Sequence, residues 1–323
     1  MPDWRQSLRE AVTNARELLS LLGLDALADR LPPDDAGFAL RVPRGFVARM
    51  RHGDPRDPLL LQVLPQLAEN VEVPGFGHDA VGDLTARAAH GVLHKYQGRA
   101  LLIAAGSCAV NCRYCFRRHF PYAEEIAAAA GWREALAHIR GDRSLREVIL
   151  SGGDPLVLST AKLDEFGAAL AKIPHVKTLR IHTRVPVVLP ERIDAAFCHW
   201  LGALPLRRVV VLHANHAREL DDSVRDACSR LREADATLLN QSVLLAGIND
   251  DVDSLAALSE RLSDCGVLPY YLHQLDRVHG AAHFAVADER ARALVQDLRS
   301  RLPGYLMPRL VRETAGESSK TPL

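Results

Sequence analysis

The chain has 323 residues, of which 48% are hydrophobic and 25% are charged, the proportions of an ordinary globular protein. Its 40 basic and 40 acidic side chains balance, which argues against a nucleic-acid partner, and no run of eighteen apolar residues could serve as a membrane span. Because the first residues, MPDWRQSLRE, are too charged for a signal peptide, we expect a cytoplasmic protein that binds neither nucleic acid nor membrane.

The region before residue 99 shows no strand pattern. Apolar residues recur at helical spacing over 3–31, and the breaker-rich segment LPPDDAG follows. Residues 41–98 have weak periodicity, which predicts short helices and loops. We therefore predict an N-terminal helical extension over residues 1–90 and a catalytic domain over residues 91–323.

From residue 99, short β-rich runs alternate with helix-length segments such as TAKLDEFGAALAKI, a pattern typical of a parallel sheet. Six such units are too few for an eight-stranded barrel, so we predict an α/β fold with a partial (β/α)6 TIM-like barrel. The predicted strands are RALLIAAG, REVILSGGD, VKTLRIHTR, RRVVVLHAN, ATLLNQSVLL and VLPYYLHQLD, with LMPRLVRE near the end.

Polar residues stand at the ends of these predicted strands. In βα barrels the catalytic groups gather at the carboxyl ends of the strands, so this recurrence locates a site. The residues are Ser151, Gly152, Gly153 and Asp154, then His182 and Arg184, His213, Asn215 and His216, Asn240, Gln241 and Ser242, and finally His273, Gln274 and Asp276.

Three cysteines lie close together in SCAVNCRYCFRRH, directly after the first predicted strand. Their CxxxCxxC spacing lets Cys108, Cys112 and Cys115 face one point, which suits a 4Fe–4S cluster with one open iron or a zinc ion lacking one ligand. Structural zinc sites prefer paired CxxC hooks, although His119 offers a distant fourth ligand. A redox CxxC pair would leave Cys108 unexplained. The spacing favours the iron–sulfur cluster, with zinc as the alternative.

The cysteine motif resembles that of the radical S-adenosylmethionine superfamily, whose three cysteines hold a 4Fe–4S cluster with the cofactor on the open iron. Within that superfamily, residues from about 90 to 323 resemble the lysine 2,3-aminomutase family. CRYCFRRHFPYAE and GAAHF are closer to its short form, the EpmB type, which is associated with β-lysylation of elongation factor P. The resemblance rests on HKYQGR, CAVNCRYCFRRHF, SGGDPL, RIHTRVPVVLPERI, HANHAREL, NQSVLLAGIND, PYYLHQLD and KTP.

The resemblance implies three cofactors, a 4Fe–4S cluster, S-adenosyl-L-methionine and pyridoxal 5'-phosphate. Lys320 of KTP matches the lysine that carries pyridoxal phosphate. SGGDP resembles the superfamily's glycine-rich contact to the methionyl amino group, where glycines allow a close backbone approach. The implied cofactor-binding residues are Lys95, Tyr96 and Arg99 for the phosphate, Gly152, Gly153 and Asp154 for S-adenosylmethionine, and His213 and Gln241 on the cofactor side.

The resemblance also implies the substrate. Arg117 matches the anchor for the substrate carboxylate, and Asp276 and Glu313 match two carboxylates that hold the distal ammonium of lysine. The implied reaction converts L-α-lysine to β-lysine, with the (R) isomer as the expected product, for the elongation factor P lysylation system. The alternatives are a radical aminomutase acting on another amino acid or on factor-bound lysine, and a non-catalytic iron–sulfur barrel.

The sequence departs from the longer aminomutases at several positions. Glu313 replaces an aspartate, which moves the carboxylate by about 1.5 Å and favours a different lysine pose. Asp251 takes the place of a zinc-binding cysteine, and the segment after Lys320 is short. We therefore expect no structural zinc, and homo-oligomerisation of the kind supported by a longer C-terminal extension stays undecided.

Overall fold

Helices and strands alternate along most of the chain after residue 98. The computed structural model describes residues 3–33, 37–129 and 132–323, so part of the LPPDDAG segment lies outside the described residues. The helices are α1 Trp4–Arg9, α2 Ala15–Leu21, α3 Arg44–Val47, α4 Pro58–Leu61, α5 Arg133–Gly141, α6 Thr160–Leu170, α7 Val185–Val188, α8 Ala195–Ala203, α9 Asp222–Glu233, α10 Val252–Asp264 and α11 Asp288–Arg299. The strands are β1 Arg87–Ala89, β2 Val92–Tyr96, β3 Arg99–Ala105, β4 Glu147–Gly152, β5 Thr178–Thr183, β6 Arg207–Leu212, β7 Ala236–Val243, β8 Leu268–His273, β9 Arg309–Arg312 and β10 Thr321–Pro322.

All ten strands belong to one sheet whose spatial order follows the chain from β1 to β10. Strands β3 to β9 are parallel, while β1, β2 and β10 pair antiparallel at the two edges. Each of β3 to β8 is followed by at least one helix before the next strand. The six predicted βα units are therefore present, and the α/β prediction is confirmed.

The two ends of this sheet approach each other. Lys95 in β2 and Glu313, directly after β9, form an ion pair of 3.0 Å, although six strands separate β2 from β9 in the sheet. Such a contact requires the sheet to curl around an interior space, as a partial barrel does. The predicted partial barrel is confirmed, and its interior is the place to look for a site.

Helix α9 shows why the helical segments fold against the sheet. Asp221 caps its first turn by accepting a hydrogen bond from the Val224 amide, and its buried residues recur at spacings of three and four. This spacing places one apolar stripe against the strands. The buried residues are Val224, Ala227, Cys228 and Leu231. Asp251 is likewise the N-cap of α10.

The N-terminal helices pack on the same hydrophobic core as the barrel, and this core includes Trp4, Leu18 and Phe46 together with Leu102 and Val148. The segment before residue 99 differs from the prediction, because 87–89 and 92–96 form a strand pair instead of loops. These strands are short and only two residues of β2 are fully buried, so the sequence carries little periodic signal there. The boundary between residues 90 and 91 stays a prediction. Within the described ranges, no helix combines the length and apolar character that crossing a membrane requires.

Candidate active site

One cavity of about 500 Å³ runs through the barrel interior toward the carboxyl ends of the parallel strands. Every residue that the family resemblance implied for the site lines it, whereas five of the strand-end polar residues, Asn215, His216, Asn240, Ser242 and Gln274, do not. The predicted residues that line it are Lys95, Tyr96, Arg99, Cys108, Cys112, Cys115, Arg117, Gly152, Gly153, Asp154, His213, Gln241, Asp276, Glu313 and Lys320. The prediction of a single site is therefore consistent with the geometry, while the role of each residue stays a prediction.

The three cysteines of the motif sit together on the loop after β3. Burial raises the pKa of the Cys108 thiol, and the neighbouring Cys115 and Cys112 raise it further. Burial and then Cys112 raise the pKa of Cys115 to about 11. Thiols that influence one another in this way are close in space, and a bound metal would deprotonate them. The described residues thus offer three sulfur ligands converging in a cavity, which fits a cluster with one iron left for another ligand.

A buried ion cluster fixes this cysteine loop. The Glu69 carboxylate accepts hydrogen bonds from the guanidinium of Arg113 at 2.9 Å and from that of Arg118 at 2.8 Å. The three side chains are at most 1% exposed. Arg113 and Arg118 flank Cys115, so their shared partner holds the backbone that presents the sulfurs.

A second buried network reaches the sulfur of Cys112. Arg184 donates to Cys112 Sγ at 2.7 Å and to the Tyr114 hydroxyl at 2.6 Å. Its other terminal nitrogen donates to Glu219 at 2.9 Å and to Gln62 at 2.6 Å. Burial alone would raise the pKa of Glu219, but Arg184 and hydrogen bonds hold it below the usual value. The guanidinium of Arg184 therefore fixes the position of the Cys112 sulfur within a buried polar network.

The glycines of SGGDP bring β4 close to the cysteine loop. A Cβ on Gly153 would lie 2.3 Å from the Ser107 carbonyl oxygen, and Gly152 has a φ of +111° that strains other residues. Asp154 accepts hydrogen bonds from Thr183 Oγ1 and from the Arg184 amide, both at 2.7 Å. The motif therefore positions the loop carrying the cysteines. A contact of these residues with a methionyl amino group stays a prediction.

A chain of opposite charges occupies the other part of the cavity. The Lys320 ammonium contacts Glu313 at 2.5 Å, and Lys95 contacts Glu313 at 3.0 Å and Asp83 at 2.6 Å. Burial would raise the pKa of Glu313, but the ammonium groups of Lys320 and Lys95 outweigh it and hold the pKa well below the usual value. The three side chains Lys95, Glu313 and Lys320 are each 16–19% exposed. Lys320, which sequence position alone would place in a solvated tail, thus points into the barrel.

Arg117 is held by a carboxylate that the sequence did not indicate. Its guanidinium donates to Asp83 at 2.6 Å and to Ser151 Oγ at 3.1 Å. Asp83 is 2% exposed and lies 34 positions before Arg117, in a segment without periodicity. No local sequence signal could have identified Asp83. The pairing fixes Arg117 in the cavity with its charge compensated.

Asp276 differs from Asp83 and Glu313 because it lacks a counter-charge in direct contact. Within the described part of the chain, its Oδ1 atom is buried and accepts no hydrogen bond. Burial and then the neighbouring Glu313 raise the pKa of Asp276 to about 7. An unpartnered buried carboxylate oxygen is costly and is commonly completed by a ligand. Asp276 is therefore the clearest candidate for contacting a bound cation.

Comparison with known proteins adds to this geometry. No protein-family model matches the sequence. The chain is 49% identical over 323 residues to the L-lysine 2,3-aminomutase of Escherichia coli K12, covering 99% of this chain and 94% of the relative. The enzyme of the same name from Haemophilus influenzae is 44% identical, with 99% and 95% covered. The chain belongs to the lysine 2,3-aminomutase family. The resemblance found in the motifs is thereby confirmed.

The chain is also similar to more distant proteins, one found by sequence and one by structure. The L-lysine 2,3-aminomutase of Clostridium subterminale is 30% identical over 331 residues, and the match covers 99% of this chain but 77% of that protein. Among solved structures, a radical S-adenosylmethionine methyltransferase from Sphaerobacter thermophilus aligns with a TM-score of 0.46 and 20% identity over 68% of each chain. Members of the aminomutase family are isomerases, and the family uses a 4Fe–4S cluster, S-adenosylmethionine and pyridoxal phosphate.

The residues of an aminomutase site fit these cofactors at both ends of the cavity. Cys108, Cys112 and Cys115 would hold the cluster. At the other end, Lys320 lies 5.9 Å from the centre of the Tyr271 ring, and the Arg99 guanidinium lies 4.7 Å from that of Tyr96. The described structure pairs neither Arg99 nor Arg309, which also lines the cavity, with a carboxylate, so both cations remain available to a phosphate.

The surroundings of Lys95 and His213 bear on their predicted roles as cofactor-binding residues. Lys95, predicted as a phosphate ligand, already donates to Val81 O and contacts two carboxylates, so its ammonium is occupied in this structure. Burial lowers the pKa of His213 to about 3, so its ring is neutral at physiological pH. Gln241 lines the cavity together with His213.

Tyr270 and Tyr271 also line the cavity and were not predicted, because aromatic residues in a strand are ordinary core residues.

Proposed function

We propose that the chain converts free L-α-lysine to (R)-β-lysine in the cytoplasm, as the source of β-lysine for modification of elongation factor P. The named relatives support the reaction class, and the short-form motifs support the link to elongation factor P. The observation that carries the choice of lysine is the pair of carboxylates, Asp276 and Glu313, beside Lys320 in one cavity.

Charge complementarity selects the substrate. An amino acid with a cationic side chain would place its distal ammonium between Asp276 and Glu313, whereas a glutamate-type substrate would be repelled. Glu313 already binds two ammonium groups, those of Lys320 and Lys95, which supports a role in binding a substrate ammonium. When pyridoxal phosphate is bound, Lys320 would hold the cofactor, and Glu313, still paired with Lys95, would be the carboxylate that meets the substrate ammonium.

The remaining residues orient the reactants. Arg117, held by Asp83 and Ser151, would take the substrate carboxylate through its guanidinium. Neutral His213 and the buried cavity walls would keep water away from the reacting carbon. When bound, the cluster with S-adenosylmethionine supplies hydrogen-atom abstraction, and pyridoxal phosphate supplies electron delocalisation. The protein contributes the spacing that brings these two ends together.

The proposed product isomer rests on Glu313. Its side chain is one methylene longer than the aspartate of the longer enzymes, which displaces the carboxylate by about 1.5 Å. A shifted anchor for the distal ammonium turns the substrate backbone relative to Arg117. The resemblance to the short form implies (R)-β-lysine, and we propose this isomer as the product because a different substrate pose is compatible with it.

The test is anaerobic incubation of the chain, reconstituted with its cluster and pyridoxal phosphate, with S-adenosylmethionine, reductant and L-lysine. Chiral chromatography of the derivatised products should show (R)-β-lysine. Absence of any β-lysine from fully loaded protein would overturn the lysine assignment, and the (S) isomer would overturn the stereochemical one.

A separate experiment tests whether the substrate is free lysine or the lysyl group already attached to elongation factor P. The same loaded protein is offered free L-lysine in one reaction and elongation factor P that already carries α-lysine in another. We expect β-lysine in the first reaction and no mass-spectrometric rearrangement of the factor-bound residue in the second. Rearrangement only on the factor would reverse the proposed order of the two modifications.

A further inference from the structure

Three histidines from three separate loops meet beside the cysteine loop. A ring nitrogen of each of His78, His119 and His279 lies within 4.8 Å of one from each of the others. His78 and His119 are exposed, and His279 is half-buried. The proposed reaction uses none of them, although His119 follows Cys115 by only four positions.

We propose that His78, His119 and His279 form a binding site for a divalent transition-metal ion, with zinc as the expected occupant, although the sequence alone predicted no structural zinc. Imidazole nitrogens suit zinc, and three of them make a complete protein ligand set when a water or carboxylate takes the fourth position. Zinc–nitrogen distances of about 2.0–2.1 Å place ligand nitrogens about 3.3 Å apart in a tetrahedral site. The His78 and His119 rings are stacked, with centroids 4.4 Å apart, so ion binding would require these two exposed side chains to rotate until their nitrogens face one point.

The backbone brings two of the three ligands together before any ion binds. Gly77 and Val278 form a β-bridge, in which the His279 amide donates to Gly77 O at 2.9 Å and the Gly77 amide donates to Arg277 O at 3.0 Å. His78 and His279 are therefore anchored side by side. A preorganised pair lowers the entropic cost of capturing an ion.

The buried side chain of Arg118 links the loop that carries His119 to the loop that carries His279. The Arg118 guanidinium donates to Gly280 O at 3.1 Å and to Glu69 at 2.8 Å, and it is 1% exposed. This contact fixes the position of His119 relative to the His279 loop. The three ligands thus come from loops that the fold already holds together.

Hydrogen bonds of the rings match those of metal-bound histidines. His119 Nε2 lies 3.2 Å from His279 O, and His279 Nε2 lies 3.1 Å from a carboxylate oxygen of Glu72. Metal-ligating imidazoles usually donate their second N–H to a backbone carbonyl or a carboxylate, which leaves the other nitrogen for the metal.

An ion at this place would join three segments that each carry a cavity residue. Asp83 lies five positions after His78, Arg117 lies two before His119, and Asp276 lies three before His279. All three line the cavity. Binding of the ion would therefore stabilise the loops that position Arg117 and Asp276.

Zinc titration of the full chain with its cluster already reconstituted tests the proposal, because iron then occupies the three cysteines. Calorimetry should show one zinc per chain, and elemental analysis after desalting should recover it. We expect His119→Ala to weaken binding by at least about tenfold and the His78→Ala/His279→Ala double variant to abolish it. His199→Ala, which removes an exposed histidine elsewhere, should bind zinc as the wild type does.

Thermal unfolding provides a second readout. Saturating zinc should raise the Tm of the wild type by about 2–4 °C and leave that of the double variant unchanged. The visible spectrum of the cluster verifies that each variant is folded and loaded. Failure of the wild type to retain zinc, or equal zinc binding by the wild type and the double variant, would overturn the site.

Discussion

The two ends of the cavity are built differently. At the cysteine end, Glu69 pairs with Arg113 and Glu219 pairs with Arg184, and all four residues are at most 5% exposed. At the lysine end, Lys320 and Glu313 are 16–19% exposed, and their ion pair joins groups that the aminomutase reaction needs for other partners. The cysteine end is therefore preorganised without its cofactor, whereas the charges at the lysine end are paired with groups that the cofactor and substrate would replace.

This difference has an energetic basis. Removing one partner of a buried, fully paired charge leaves the other without solvation, so such networks resist change. Partly exposed pairs exchange partners at small cost, because water and other ions replace the lost contact. The cysteine end therefore contributes chiefly to stability and geometry, and the lysine end contributes chiefly to binding and selectivity. The predictions below separate these two contributions.

The largest effect is expected from Lys320→Ala. The variant lacks the amine that would carry pyridoxal phosphate, so lysine aminomutase activity should fall at least about 10³-fold. Visible absorbance from bound pyridoxal phosphate should disappear, while that of the iron–sulfur cluster remains. Lys162→Ala, which removes a surface lysine paired only with Glu165, should keep both signals. Normal pyridoxal binding by the Lys320 variant would contradict the assignment.

Glu69→Gln tests the cysteine end. The substitution leaves Arg113 and Arg118 without their shared carboxylate and should lower the free energy of unfolding by about 3–5 kcal/mol. Chemical denaturation measures the change. The control is Glu165→Gln, which breaks the ion pair between Lys162 and Glu165 on the surface of one helix. This substitution should lower the free energy of unfolding by about 0.3–0.5 kcal/mol. Equal losses in the two variants would refute the stabilising role of the buried cluster at the cysteine end.

Ionisation of Asp276 should make lysine binding depend on pH. Because the pKa of Asp276 is raised to about 7, the carboxyl is mostly neutral at pH 6 and mostly charged at pH 8. The KM for lysine should therefore fall about tenfold as the pH rises across this interval, since only the charged form attracts the ammonium. Asp276→Asn should flatten this dependence. A KM that rises with pH in the wild type would contradict the role.

The same group affects folding stability with a definite sign. A carboxyl whose folded-state pKa exceeds the ordinary value of 3.8 binds more protons in the folded state between those two pKa values. Its contribution to stability therefore declines as the pH rises from about 4 to about 7. Asp276→Asn removes that decline, so the cofactor-free variant should gain stability relative to wild type at pH 8 and not at pH 4. Urea unfolding at both pH values measures the difference.

The smallest effect is expected from Asp83→Asn. The neutral amide weakens the contact that holds Arg117, while Ser151 continues to accept from the same guanidinium. We expect the KM for lysine to rise about three- to tenfold, with a smaller change in kcat. Steady-state kinetics of the isosteric variant measure both. A change confined to kcat would show that Asp83 acts on the chemistry instead of on substrate binding.

The sequence predicted the repeated parts of the fold and the residues that belong to motifs. Strands β3 to β9 have β-rich runs, and helices such as α9 have a regular apolar stripe, so their physical signals are local. The strand pair β1 and β2 escaped prediction because its strands are short and partly exposed. Local pattern identifies an element only where burial is periodic.

The site residues likewise differ in whether the local sequence identifies them. CxxxCxxC reveals its chemistry through spacing, but Lys320 stands in a polar segment and was identified only by family resemblance. Asp83 and Glu69 carry no signal, since each finds its partner through contacts 34 and 44 positions away. Only the folded arrangement shows that these carboxylates hold Arg117 and the cysteine loop.

Turnover of L-lysine and of L-norleucine by the fully loaded protein, measured side by side under anaerobic conditions, tests directly whether the paired carboxylates choose the substrate. Norleucine has the same carbon chain without the distal ammonium, so it would leave Asp276 and Glu313 unpaired. We predict that kcat/KM for lysine exceeds that for norleucine by about 10⁴-fold. Comparable turnover of the two amino acids would contradict the selection of lysine by charge.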